Sequence, residues 1–252
     1  MRKLVAGLDG CRAGWVMATV PAAGPTAGPT AGATAGPTAG AGEGAGPGDL
    51  RIELVTDLGT VVRQLEEGRL TAAAIDIPIG LAPDAPRPVD AEARRSLGPR
   101  KSSVFPAPVR PVLAAQSYAD ACAISRAACG RAISRQLFNI LGKIREVDAL
   151  QSPSLQDRLF EMHPELSFTH LAGAPMRFHK ATEEGRRERL DALRREFGDL
   201  GDVARTRPRG SQPDDVLDAV VGAWTARRYV ARTHIRLGGE LDQRGLRMEI
   251  IA

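Results

Sequence analysis

Residues 21–48, PAAGPTAGPTAGATAGPTAGAGEGAGPG, hold only Gly, Ala, Pro and Thr apart from Glu43. A run of this composition has no side chains able to bury surface and is expected to stay disordered. The folded body must therefore be assembled from the short piece before it and the long piece after it. The run reads as an insertion at a hairpin tip, between the second and third strands, where lengthening a loop costs little closure entropy. It is given no catalytic part. The remainder, about 220 residues, suits one domain with a sizeable core, so residues 1–252 read as a single domain.

The composition excludes several classes. Hydrophobic residues make up 43% and charged residues 25%, with a net charge of +4, as in an ordinary globular chain. Three cysteines, Cys11, Cys122 and Cys129, form no CxxC pair, so neither a disulfide framework nor a zinc knuckle is indicated and a reducing cytoplasm is expected. Residues 13–42 are uncharged but too rich in Gly, Pro and Thr to supply a membrane span of ~20 apolar residues. Asp9 and Arg12 interrupt the apolar stretch that a signal peptide would need. The four histidines, His163, His170, His179 and His234, make no zinc-binding spacing.

KLVAGLDG is an apolar run ending in Asp-Gly, and WVMATV follows a turn-like stretch, which predicts an antiparallel hairpin. RIELV, residues 51–55, alternates polar and apolar positions as a half-buried strand does. LGTVVRQLEEG predicts a helix closing at Gly68, and AAAIDIPIGL an apolar strand broken by Pro78 and Gly80. The order strand, strand, strand, helix, strand predicts an α/β mixed sheet, three antiparallel strands with a parallel fourth beside the first. Residues 89–150 read as a mainly helical insertion interrupted by FPAPVRP. RLFEMHP predicts a short strand stopped by Pro164; helices are predicted over 183–197 and over 214 to about 232, and LRMEII closes as a strand.

Asp9 and Asp76 each fall near the C-terminal end of an apolar strand. If those strands are parallel neighbours, roughly 5 Å apart, the two carboxylates repel unless a cation lies between them. Each acid alone is equally explained by a turn or a cap. Glu161 lies between Phe160 and Met162, so alternation sends it to the opposite face, which an exposed edge would also explain. In PDDVLDAVVGAW the helix dipole accounts for Asp214 or Asp215 in the first turn. Asp218 is a turn further in, three positions from Asp215, at the border of an apolar stripe of Leu217, Val220, Val221 and Trp224.

VAGLDGCRAGWV, AIDIPIGL, GPRKSSVFPAPVRPVL, FEMHPELSF and DDVLDAVVGAWTARR together resemble the bacterial proteins of domain-of-unknown-function family 429. The resemblance covers nearly all of the chain except the PTAG run and residues 198–212. It implies an RNase H-like mixed sheet flanked by helices, and a predicted nuclease. In that superfamily an acid stands on the first strand, another at or near the fourth, and one or two on a late helix. Asp9, Asp76, Asp215 and Asp218 match those places and are the implied metal ligands, with Glu161 as an additional catalytic acid. The implied chemistry is hydrolysis with two hard cations, Mg²⁺ or Mn²⁺, about 4 Å apart.

A nucleic-acid partner, DNA or RNA, would need cations around this cluster. The substrate-binding candidates are Arg12, Arg100 and Lys101 with Ser102, and Lys143 and Arg145 on a helix that also carries Arg135. Aromatic residues, at 4%, are too sparse for an extended stacking platform. Two other readings remain open: a nucleotide-binding phosphotransferase or ATPase of related fold, and a non-catalytic nucleic-acid or protein-binding module. No membrane association is expected.

Overall fold

The computed structural model describes residues 2–23, 49–201 and 207–252. The first apolar run forms β1 (Leu4–Cys11), and Arg12-Ala13 turn the chain into antiparallel β2 (Gly14–Pro21), with Cys11 opposite Gly14. β3 (Arg51–Val55) pairs antiparallel with β2, and α1 (Gly59–Glu66) leads into β4 (Leu70–Ile75), parallel to β1. The fifth strand, β5 (Leu159–Glu161), is parallel to β4, giving the order β3-β2-β1-β4-β5. The mixed sheet is the one expected. The expected loop lies, for residues 24–48, outside the described residues.

Between β4 and β5 the chain forms α2 (Pro88–Leu97), two 3-10 turns (Gly98–Ser103 and Arg110–Ala114), α3 (Tyr118–Cys129), α4 (Arg135–Leu150) and the single turn α5 (Pro153–Gln156). Ser117 and Ser134 cap α3 and α4 by accepting hydrogen bonds from the amides of Asp120 and Leu137. After β5 come α6 (Pro164–Ala172), α7 (Glu183–Phe197) and α8 (Pro213–Val230), then a separate antiparallel pair, β6 (Arg236–Leu241) and β7 (Arg247–Ile251). A bridge between Met162 and Ile251 joins this pair to the β5 edge. Among the described residues no helix is long and apolar enough to cross a membrane.

Three local readings change. The AAAIDIPIGL strand ends at Ile75, so Asp76 is the first residue beyond it, although its amide still donates to the Leu8 carbonyl at 3.1 Å. Pro164 opens α6 as well as ending the strand, since proline fits a first helical turn, where no amide donor is needed. β6 was not expected, because most of its residues are exposed and no apolar alternation marks it.

Strand alternation divides the core. Ala6, Leu8, Ala73 and Ile75 face a layer that includes Leu65 of α1, Ala121 of α3 and Ile144 of α4. Val5, Ala72, Ala74 and Phe160 face Phe168 of α6, Leu193 of α7 and Val220 of α8. α3 and α4 thus pack into the sheet's own apolar layer, while α2 packs through Val89, Ala93 and Leu97 against Leu166, Met248 and Ile250 in a separate cluster. On the second face, every residue of α8 from Val216 to Arg228 is buried, as suits a helix enclosed by neighbours. It lies backbone against backbone on β1. A Cβ on Gly7 would overlap the Ala219 carbonyl and the Ala223 amide, and one on Gly222 would lie 3.0 Å from Gly7 Cα and 2.8 Å from Met162 Cε.

Gly7→Ala and Gly222→Ala are each expected to destabilise the fold by about 1–3 kcal/mol or more, because backbone must move to admit the methyl group. Gly142→Ala, on an exposed face of α4 with nothing within 4 Å of the new methyl, is expected to stabilise by about 0.5–1 kcal/mol. Urea unfolding of the three variants checks the contrast; equal effects would remove the argument for a glycine-to-glycine contact.

Candidate active site

The close approach of α8 to β1 brings Asp218 against the strand end that carries Asp9. Asp9 shares the face of Val5 and Gly7, the face on which α8 lies. Asp76 extends the ladder beside Leu8 and so follows Asp9 on the neighbouring strand. Asp9 and Asp218 are buried, at 8% and 1% exposure, and Asp76 is partly buried. All three line one cavity of about 760 Å³.

Their protonation reflects crowding. Burial, then the charge of Asp218, pushes Asp76 up to about 7. Asp9 is raised well above the carboxylate range by burial first, then by Asp218 and Asp76. The opposing cation is Lys180, whose Nζ lies 2.6 Å from Asp218 Oδ2 and 4.0 Å from an Asp214 oxygen. Asp218 holds this ammonium above its ordinary range. Asp218 Oδ1, buried, has no hydrogen-bond partner. Among the described residues no three His, Cys, Asp or Glu side chains already form a metal-holding group.

The remaining predicted acids are placed differently. Asp215 Oδ2 accepts a hydrogen bond from the Gln212 amide at 2.7 Å, closing the first turn of α8, and this cap occupies it beside the cluster. It reaches the acids through space, adding to the repulsion on Asp9. Glu161 does alternate onto the other face, but no exposed edge awaits it there. It is 4% exposed, and Arg87 grips both its oxygens at 2.7 Å. The Ile79 amide donates to Oε2 as well, and Arg87 also binds Asp90 at 2.6 Å. These carboxylates hold the Arg87 guanidinium well above its ordinary range. Glu161 therefore borders the cavity as the anchor of a buried ion-pair network, with both oxygens engaged by Arg87.

The cations also divide. Arg12, exposed, and Lys143 line the cavity, and Lys143 Nζ donates to the Gly14 carbonyl at 2.6 Å while lying 4.2 Å from the centroid of the Trp15 ring. Burial pushes the Lys143 ammonium down. Its stem crosses Gly10 so closely that a Cβ there would come within 2.6 Å of Cδ. Arg100 lines the cavity but is tied to Glu165 at 2.8 Å, and Ser102 lies on the same wall. Lys101 is exposed and lies elsewhere, beside Arg94 and Arg95. Arg145 caps carbonyls, donating to those of Leu113 and Ala115, which takes it out of the cation set facing the acids.

Sequence reasoning missed Lys180, Arg87, Phe105, Gln136 and Asn139, all on the cavity wall. Lys180 stands in the irregular stretch between α6 and α7, where no periodicity marks a residue as inward-facing. The family described as "Protein of unknown function (DUF429)" matches residues 7–240. No curated protein and no solved structure matches the chain significantly.

The raised acids bind protons more readily when folded than unfolded, so the cluster's contribution to stability falls as pH rises from the ordinary carboxylate range toward 7. Partly buried His163, His170 and His234 are pushed down and act in the opposite sense, so the difference between a variant and wild type is the informative quantity. In EDTA, Asp76→Asn is expected to raise the melting temperature at about pH 8 and to leave it nearly unchanged at about pH 5, where Asp76 is already protonated. A difference that does not vary with pH would mean Asp76 is not crowded by like charge.

Proposed function

The chain belongs to the family described as "Protein of unknown function (DUF429)", and on that premise we propose a divalent-metal-dependent nuclease of RNase H-like fold that hydrolyses phosphodiester bonds of DNA or RNA. The observation that carries the reading is the convergence of Asp9, Asp76 and Asp218, from two neighbouring strands and a helix far apart in sequence, on one wall of a cavity. Burying three mutually repelling acids is unfavourable for stability. Perturbed carboxylates in a cleft are a mark of chemistry.

The donor set suits a hard cation. It is all oxygen, it carries more negative charge than Lys180 offsets, and Asp218 Oδ1 is buried without a partner. Asp9, Asp76 and Asp218 would hold the ion, and Asp215 could join only by releasing its cap on Gln212. Mg²⁺ or Mn²⁺ bound there supplies water activation and offsets charge on the leaving oxygen. The chain's own part is to bind and orient. Arg12 and Lys143 line the same cavity from the hairpin turn and from α4 and would hold a phosphate by charge-assisted hydrogen bonds. Lys180 fixes the rotamer of Asp218 and keeps part of the acid charge neutralised.

With Mn²⁺, the purified protein is expected to cleave at least one of duplex DNA, single strands, RNA:DNA hybrids or four-way junctions, and Asp9→Asn is expected to lose at least ~100-fold in rate. Absence of cleavage by a folded protein on every substrate would overturn the nuclease reading. Independently of activity, Mn²⁺ is expected to raise the melting temperature of the wild type and not of Asp76→Asn; an equal shift in both would place any ion elsewhere.

A further inference from the structure

We infer that the cavity receives one unpaired nucleotide at a time, so that the substrate is a single strand, a frayed end or a loop and never an intact duplex. The inference rests on the nuclease reading for the identity of the polymer, and on three separate observations for its form.

The first is depth. Asp218 is 1% and Asp9 8% exposed, so a phosphate must enter the cavity to meet them. A duplex carries its phosphates on the outside of a wide, rigid rod whose bulk stays outside such a cavity, whereas a single flexible strand can follow its phosphate in.

The second is size. A cavity of about 760 Å³ falls in the range that encloses a single small-molecule-sized unit. One nucleotide fits; a base pair with both its backbones does not. The cavity is lined by the ends of β1, β4 and β5, by α4 and by residues 100–105, and an enclosure of this size keeps a rigid helix off the acids.

The third is the rest of the lining. Phe105 is 43% exposed yet lies on the cavity wall, the one of the large exposed apolar residues among the described residues that does so. An exposed aromatic ring beside a polar site is a surface for one base. Gln136 and Asn139 lie on the α4 wall, with amide groups that both donate and accept, as base edges require. Lys143, one turn further along α4, is placed for the phosphate. Base, backbone and scissile phosphate thus each have a wall of matching chemistry. One ring is no platform for a long strand, but one unit needs only one.

The test compares an oligodeoxynucleotide and its RNA equivalent, each offered single-stranded, as a blunt duplex and as a duplex with unpaired tails, in Mn²⁺. In parallel, AMP and dTMP are titrated calorimetrically into wild type and Phe105→Ala, whose folding is checked by its melting temperature. The single strands and tails are expected to be cut at least tenfold faster than the blunt duplex. Mononucleotide binding is expected to weaken about tenfold in Phe105→Ala, the scale of stacking on one ring. A blunt duplex cut as fast as a single strand would overturn the inference and leave the nuclease reading standing. Mononucleotide affinity unchanged by Phe105→Ala, or no mononucleotide binding at all, would also overturn it. Mononucleotide binding that depends on Phe105, with no polymer cut, would support a one-nucleotide pocket while removing the nuclease reading.

Discussion

The contact of Gly7 with Gly222 governs how close α8 lies to β1, and much else in the molecule follows from that distance. Each glycine leaves room for backbone where a methyl group would not fit. With the helix this close, the residue one turn before Gly222, Asp218, stands beside the residue two after Gly7, Asp9. Parallel pairing of β1 and β4 then adds Asp76 from the neighbouring strand. The acid cluster is thus a consequence of how helix and sheet pack, and a larger residue at the contact would move the chemistry as well as the core.

Electrostatics runs against this packing. Desolvation and mutual repulsion both oppose three acids in one buried place. Lys180 offsets only part of the charge, and it reaches in from an irregular segment with its own side chain 43% exposed. Arg12 and Lys143, on the hairpin turn and on α4, line the same cavity outside direct pairing with the acids. Negative and positive groups on one cavity suit a ligand that carries both a phosphate and a bridging cation.

What the sequence made legible tracks what is local. Apolar runs located β1 and β2, alternation located β3, and helical patterning with end signals located α1, α7 and α8, each to within a residue or two, because these signals are written in the residues of each element. Asp9, Asp76 and Asp218 were visible as charges interrupting apolar runs. Four features were hidden. Lys180 acts through a fold-dependent contact, 38 positions from Asp218, with no pattern around it. Arg145 looked like its cationic neighbours, since helical spacing does not reveal that its donors go to the Leu113 and Ala115 carbonyls. Glu161 was correctly placed on the opposite face, yet its environment depended on Arg87, 74 positions away. β6 lacks a buried face and so lacks the pattern.

The Glu161–Arg87 pair bears on how the sheet chooses its alignment. β5 is only three residues long and pairs through Leu159, Phe160 and Glu161, too few contacts to set its register strongly by hydrogen bonding. Sliding it by one residue would exchange its faces. Glu161 would then turn toward Asp9 and Asp218, adding a fourth carboxylate to a crowded site, while Phe160 would meet a buried guanidinium stripped of its main partner. Both errors are costly, and they arise together. One buried ion pair at the sheet edge therefore works as a key that admits a single alignment of the last strand.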